Sequence, residues 1–251
     1  MNGFHVECMT ENTPFCFAAL YIYGKLCNRY PLLQGSRLVM AFFIDSTELN
    51  ELRAVRKLHW VRGVTTNPLL LGNQKEPSKE VLSQIRELGF STIFYQLVSL
   101  DTESIYAEAE RARDLLENAL VLKIPSTELG FEVLSKLSSE YQCCMTALFS
   151  CHQAIVAAEC GAKYVAPYVS RASKNDIDGI RLIREMSLLL QSSNTEILAA
   201  SLKTPKEVEQ VLLAGAVHVT TGFEVLRKMQ CHELSELAVR SFKESGKGLS
   251  F

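Results

Sequence analysis

The stretch ALVLKIPSTELG, residues 119–130, reads as a buried strand, ALVLKIP, running straight into Ser-Thr-Glu, the kind of residue on which a helix opens. Working outward, similar short β-branched or aromatic runs recur on both sides: AFFID (41–45), GVTTN (63–67), STIFYQ (91–96), QCCMTALF (142–149), KYVAPYVS (163–170), TEILAAS (195–201) and AVHVTTGF (216–223). The segments between them carry helical periodicity: KEVLSQIRELG, TESIYAEAERARDLLE, GFEVLSKLSSEY, SCHQAIVAAECGA, NDIDGIRLIREMSLLLQ and TPKEVEQVLLAGA. Strands alternating with helices at roughly 25 residues per unit predict a single closed (β/α)8 barrel of the α/β class. A doubly wound open sheet is the competing architecture, but no GxGxxG follows the first strand.

Composition agrees with a folded, metabolite-handling chain. At 251 residues, 47% hydrophobic and 22% charged, it can bury a large core, and its net charge of −2 without a Lys/Arg cluster leaves no footprint for nucleic acid. The eight cysteines show neither CxxC pairs nor a secreted disulfide framework, which fits a reducing cytoplasm. FCFAALYIYG is about half the length a membrane span needs. The preceding MNGFHVECMTENTP carries two glutamates and no lysine or arginine, the reverse of an export signal's basic start. The regular pattern starts at Met40, so residues 40–251 are expected to form the barrel and 1–39 an extension, either a weakly ordered tail or a start-codon artefact.

Active sites of such barrels sit at the carboxyl ends of the strands. Polar residues gather there: Asp45, Thr66 and Asn67, Gln96, Lys123, Thr146, Tyr168 and Ser201 each fall late in a run. Lys123 is the sharpest of them, because an ammonium is seldom buried unpaired and a parallel barrel strand is covered on both faces. Desolvation at such a place favours a free amine, which can attack a carbonyl and form a Schiff base. The plainer alternative is a structural ion pair with a carboxylate such as Asp45. QCCMTALFSCH places three cysteines near Thr146, read as core thiols because zinc spacing is absent, and His218 reads as a satisfied core histidine.

FFIDS, GVTTNP, VLKIPSTELG, GAKYVAPYVSR and EILAASLKTP, in this order and spacing, resemble the transaldolase family, and within it the fructose-6-phosphate aldolase-like branch. The resemblance implies a (β/α)8 barrel doing Schiff-base aldol chemistry with neither metal nor organic cofactor, and with Lys123 as the Schiff-base lysine. It further implies that Asp45 assists proton transfer and contacts substrate hydroxyls, and that Asn67 holds the donor's hydroxyl end. Gln96, Thr146 and Tyr168 would position a catalytic water, while Arg171 and Ser201, helped by Lys203, would bind the acceptor's phosphate. Transaldolases proper usually carry Glu, Ser and Phe where this chain has Gln96, Ala166 and Tyr168, so these positions imply the aldolase branch. The implied reaction cleaves fructose 6-phosphate or a similar ketose phosphate into dihydroxyacetone and glyceraldehyde 3-phosphate. Two alternatives stay open: a transaldolase passing the three-carbon unit to another sugar phosphate, and a catalytically silent barrel serving as a binding or assembly module. The branch also implies a cytoplasmic homo-oligomer, a pentamer or decamer, for which HELSELAVRSFKESG (232–246) has the amphipathic pattern of an oligomerisation helix.

Overall fold

In the computed structural model, which describes residues 40–249, the apolar runs become eight parallel strands. These are β1 (Ala41–Asp45), β2 (Val61–Thr65), β3 (Thr92–Gln96), β4 (Leu120–Pro125), β5 (Cys143–Leu148), β6 (Tyr164–Pro167), β7 (Glu196–Leu202) and β8 (His218–Thr221). They pair in chain order and β8 closes back on β1, giving the (β/α)8 barrel expected. The extension expected over residues 1–39 lies outside the described residues.

The two-residue period of a strand sorts the side chains. Ala41, Phe43, Phe94, Val121, Cys144 and Ala166 point into the barrel, whereas Ile44, Ile93, Leu122, Met145 and Val165 join the larger core beneath the helices. Phe94 fills the barrel's middle, its ring edge-on to Phe43 at 5.1 Å and to Tyr164 at 5.3 Å between centroids. Such aromatic packing leaves the polar residues only the two ends of the barrel.

Helices cover each crossover, and the opening stretch shows how one begins. Thr127 accepts the backbone N–H of Gly130 at 3.1 Å, capping the helix Glu128–Leu137. A Cβ at Gly130 would run into the carbonyl oxygen of Pro125, so glycine lets the helix start hard against the end of β4. Several strands end before their expected runs do, two of them for a visible reason. KYVAPYVS stops at Pro167, and the chain turns helical over Val169–Ser173 with Tyr168 joined only by a bridge to Ala200. GVTTN stops at Thr65, because Asn67 caps a short helix, Pro68–Gly72, with proline in its first turn.

At the amino end, His218 is indeed a satisfied histidine. Its Nδ1 accepts the backbone N–H of Ala41 at 3.1 Å, which places the ring proton on Nε2, 2.9 Å from Glu196 Oε2. Glu196 also accepts from Lys163 Nζ at 2.8 Å. This chain of contacts ties β6, β7, β8 and β1 across the seam where the barrel closes. The C-terminal helix Glu233–Ser245 is present, and none of its residues is buried.

Candidate active site

Lys123 occupies the fourth position of β4 and is 5% exposed. Its Nζ donates to the carbonyl oxygen of Thr66 at 2.9 Å. Among the described residues it enters no ion pair, so the alternative of a Lys123–Asp45 salt bridge is not formed. Asp45, the last residue of β1, instead accepts from Thr65 Oγ1 at 2.8 Å. The β4 register sets Gln96 of β3 on one side of Lys123 and Cys144 of β5 on the other. Burial pushes the Cys144 thiol up to about 12, against the pull of the Lys123 charge, so a neutral thiol is the lysine's neighbour. Burial likewise takes Cys143 to about 12, helped by Cys144, as core thiols require; Cys151, expected with them, is only partly buried.

Further along β5, beside the strand of Lys123, Thr146 Oγ1 donates to the Tyr168 hydroxyl at 3.3 Å. Local backbone makes this meeting possible. Ala147 adopts φ 60°, the β5–β6 register slips after Thr146, and Tyr168 leaves the ladder just beyond Pro167. The side-chain oxygen Oε1 of Gln96 is buried and has no partner among the described residues. It therefore hydrogen-bonds neither Thr146 nor Tyr168, and stands free to accept from a water or a substrate hydroxyl.

The residues expected to meet an anion lie just past β6 and within β7 and its following loop. The Arg171 guanidinium stacks over the Tyr168 ring, 4.8 Å from its centroid. Ser201 sits in a second bulge with φ 60° and is half-buried, and Lys203 is exposed. Glu207 binds the two loops together: it accepts from Ser170 Oγ at 2.9 Å and from the backbone N–H of Lys203 at 2.6 Å. Sequence reasoning did not single out Glu207, although Thr204-Pro-Lys-Glu207 spells the capping box that it completes. Asn67 carries more structural duty than expected, because its Oδ1 accepts from the backbone N–H groups of both Leu69 and Leu70 at 3.0 Å. Only its amide nitrogen remains for a ligand. Ala166 is fully buried beside Thr146 in the β5–β6 register.

Two further residues were missed. Thr65, not the neighbouring Thr66, turns its hydroxyl to Asp45, and Thr65 Oγ1 also lies 2.7 Å from Thr220 Oγ1 of β8. Thr66 contributes its carbonyl to Lys123 and donates its own hydroxyl to Phe94 O at 2.9 Å. Among the described residues no three His, Cys, Asp or Glu side chains group as a metal site needs, and no helix is long and apolar enough to cross a membrane.

With this geometry in place, comparison with known proteins gives a consistent result. The family model described as Transaldolase/Fructose-6-phosphate aldolase matches residues 42–246. A probable transaldolase of Heliobacterium modesticaldum is 34% identical over 206 residues, covering 81% of this chain and 95% of that protein. Another, from Caldicellulosiruptor saccharolyticus, is 35% identical over 207 residues with 81% and 95% covered. Among solved structures, a mandelate oxidase superposes with a TM-score of 0.55 at 16% identity, covering 75% of this chain and 66% of that one. A thiamine phosphate pyrophosphorylase from Pyrococcus furiosus superposes with a TM-score of 0.53 at 13% identity, covering 73% and 85%. These structural likenesses reflect the barrel fold alone. The chain belongs to the transaldolase/fructose-6-phosphate aldolase family.

Proposed function

We propose that this family member is a Schiff-base aldolase that cleaves fructose 6-phosphate, or a similar ketose phosphate, and releases free dihydroxyacetone. The observation that carries this reading is the phenol of Tyr168 within reach of Thr146, on the strand next to a buried lysine that has no carboxylate partner among the described residues. The Lys123 amine attacks the ketone carbon, and loss of water leaves a protonated Schiff base. A water held by Gln96, Thr146 and Tyr168 takes the proton of the C4 hydroxyl, the C3–C4 bond breaks, and its electron pair passes into the iminium to give an enamine. Glyceraldehyde 3-phosphate departs from Arg171, Ser201 and Lys203. Reprotonation of the enamine at carbon and hydrolysis of the new iminium free dihydroxyacetone and regenerate Lys123. Asp45 serves the proton transfers near the lysine, Asn67 holds the donor's hydroxyl end through its amide nitrogen, and small Ala166 leaves room beside it.

A second reading is transfer of the three-carbon unit to another aldose phosphate, favoured by the name probable transaldolase borne by the relatives. The two differ only in what discharges the enamine, water or an aldehyde. Mass spectrometry of products from fructose 6-phosphate, with and without an added aldose phosphate, separates them. Borohydride added with dihydroxyacetone should leave a reduced adduct on the peptide containing VLKIPSTELG, and Lys123→Arg should abolish turnover while the protein stays folded. An adduct elsewhere, or none while activity persists, refutes the mechanism. The C-terminal helix exposes Leu234, Leu237 and Phe242 along one side, and in this reading it meets a neighbouring copy in a pentamer or decamer. A monomer in light scattering at micromolar concentration would contradict that assembly.

A further inference from the structure

Every strand but the eighth contributes, itself or through the loop after it, a residue to the site described above. On β8 the motif HVTTGF was left without a role. His218 belongs to the amino-end contacts, which leaves Thr220, 4% exposed on the inner side of the barrel, to be explained.

We infer that Thr220, acting through Thr65, is a positioning residue that orients the Asp45 carboxyl. The inference rests on the reading of Asp45 as a proton-handling group. Strand β1 runs between β2 and β8, and the hydroxyls of Thr65 and Thr220 meet on its inner side, one from each flanking strand. Thr65 Oγ1 is 2.8 Å from Asp45 Oδ1 and 2.7 Å from Thr220 Oγ1.

A count of protons gives the chain a direction. Each hydroxyl has one proton, and an ionised carboxylate only accepts. With Asp45 ionised, Thr65 must donate to Asp45, and Thr220 must donate to Thr65; both contacts are then hydrogen bonds. The chain so directed fixes which oxygen of Asp45 is occupied, leaving Oδ2 for the substrate. Burial strengthens such a relay, since the two hydrogen bonds polarise each other in a low dielectric.

The other charged groups on elements against β1 are accounted for. Arg62 of β2 is exposed, His218 of β8 is engaged by Glu196 at the opposite end, and Arg227 pairs with Glu224 on the helix after β8, where Lys228 is exposed. Lys123, bonded to Thr66 O, is the cation at the carboxyl end of the barrel's interior, with the Cys144 thiol and the Tyr168 phenol beside it.

The test compares wild type with Thr220→Val, which keeps the shape and removes the hydroxyl, and with Thr220→Ser, which keeps the hydroxyl. Cleavage of fructose 6-phosphate is followed across pH, with borohydride trapping of dihydroxyacetone run in parallel. Thr220→Val should lower kcat about tenfold, the worth of one hydrogen bond. Borohydride trapping on Lys123 should persist in this variant, because Thr220 acts on Asp45 and not on the lysine. Thr220→Ser should restore the rate. Should Thr220→Val fail to fold, Thr220→Ala carries the same comparison. A wild-type rate in the hydroxyl-free variant would overturn the inference, as would equal losses in the Val and Ser variants. No wild-type adduct on Lys123 would instead refute the aldolase reading itself, so the two failures are distinguishable.

Discussion

Tyr168→Phe removes one oxygen and tests the assignment of aldolase over transferase. The ring keeps its neighbours: Phe149 lies edge-on at 6.0 Å and the Arg171 guanidinium stacks at 4.8 Å, contacts that a phenyl ring also makes. What is lost to the fold is the hydrogen bond from Thr146, which at 3.3 Å is long for a pair of hydroxyls. The cost to stability should therefore lie near the lower end of the ~0.5–1.5 kcal/mol range for such a bond. The cost to chemistry is larger. If the phenol and its water protonate the enamine and assist its hydrolysis, discharge to free dihydroxyacetone should slow by roughly 10²–10⁴-fold, the usual worth of a positioned acid/base. Transfer to an added aldose phosphate should fall less, because Asp45 and the incoming aldehyde still engage the enamine. Both rates are measured on one preparation, release by coupled assay of dihydroxyacetone and transfer by mass spectrometry of the new ketose phosphate. A proportional fall in both rates would show that Tyr168 does not partition the enamine, and the case for release over transfer would lose its physical support.

Arg171→Ala should raise KM for phosphorylated substrates while sparing aldehydes without an anion, and Arg171→Lys should recover only part of the loss, because an ammonium lacks the planar fork; equal losses for both aldehyde classes would make Arg171 a structural residue. At the other end of the barrel, burial raises the Glu196 carboxyl, but hydrogen bonds from His218 and Lys163 outweigh it and hold the group below the ordinary carboxylate value. A depressed folded-state value stabilises the fold above the unfolded carboxylate pKa of about 4.3 and ceases to do so as pH falls through the folded value. Urea midpoints should show His218→Gln less stable than wild type at neutral pH, with the gap narrowing through that acid window; a gap independent of pH would refute the coupling. Glu108 is a buried carboxylate accepting from Tyr95 OH at 2.7 Å and from the backbone N–H groups of Val98 and Ser99. Glu108→Gln turns an amide donor toward those donors and should cost about 1–3 kcal/mol in a denaturation curve; a neutral change would contradict that count.

Legibility in the sequence followed how local each signal was. Strands were readable because alternation and β-branching repeat within five residues, and Lys123 because a cation in an apolar run conflicts with its surroundings at a single position. The short helices Pro68–Gly72 and Val169–Ser173 were not, since five residues hold too little of a 3.6-residue period to stand out. Neither was the Thr65–Thr220 contact. Its members lie 155 residues apart, and threonine in a strand is an ordinary residue until the barrel closes and sets two hydroxyls face to face. Asn67 was expected to meet the donor and is seen to cap a helix, and one asparagine side chain can serve both purposes with different atoms.

The two ends of the barrel differ in how completely their polar atoms are answered, and that difference supports the proposed site more than any single residue does. At the amino end, both nitrogens of His218 and both oxygens of Glu196 have partners, a closed set that needs nothing from outside. At the carboxyl end the set is open. Among the described residues Lys123 has one acceptor, the Thr66 carbonyl, for an amine able to donate more than once, and the buried side-chain oxygen of Gln96 has no partner. Ala147 and Ser201 both stand at φ 60°, a conformation costing a non-glycine residue on the order of 1–3 kcal/mol. Apolar side chains and regular strands would remove these costs if the residues served only the fold, as the Phe43–Phe94 packing deeper in the same interior shows. In the proposed reading, a ligand carrying a carbonyl for the lysine, hydroxyls for Gln96 and Asp45, and an anion for Arg171 would supply the partners that the described residues leave out, and a ketose phosphate has all of them.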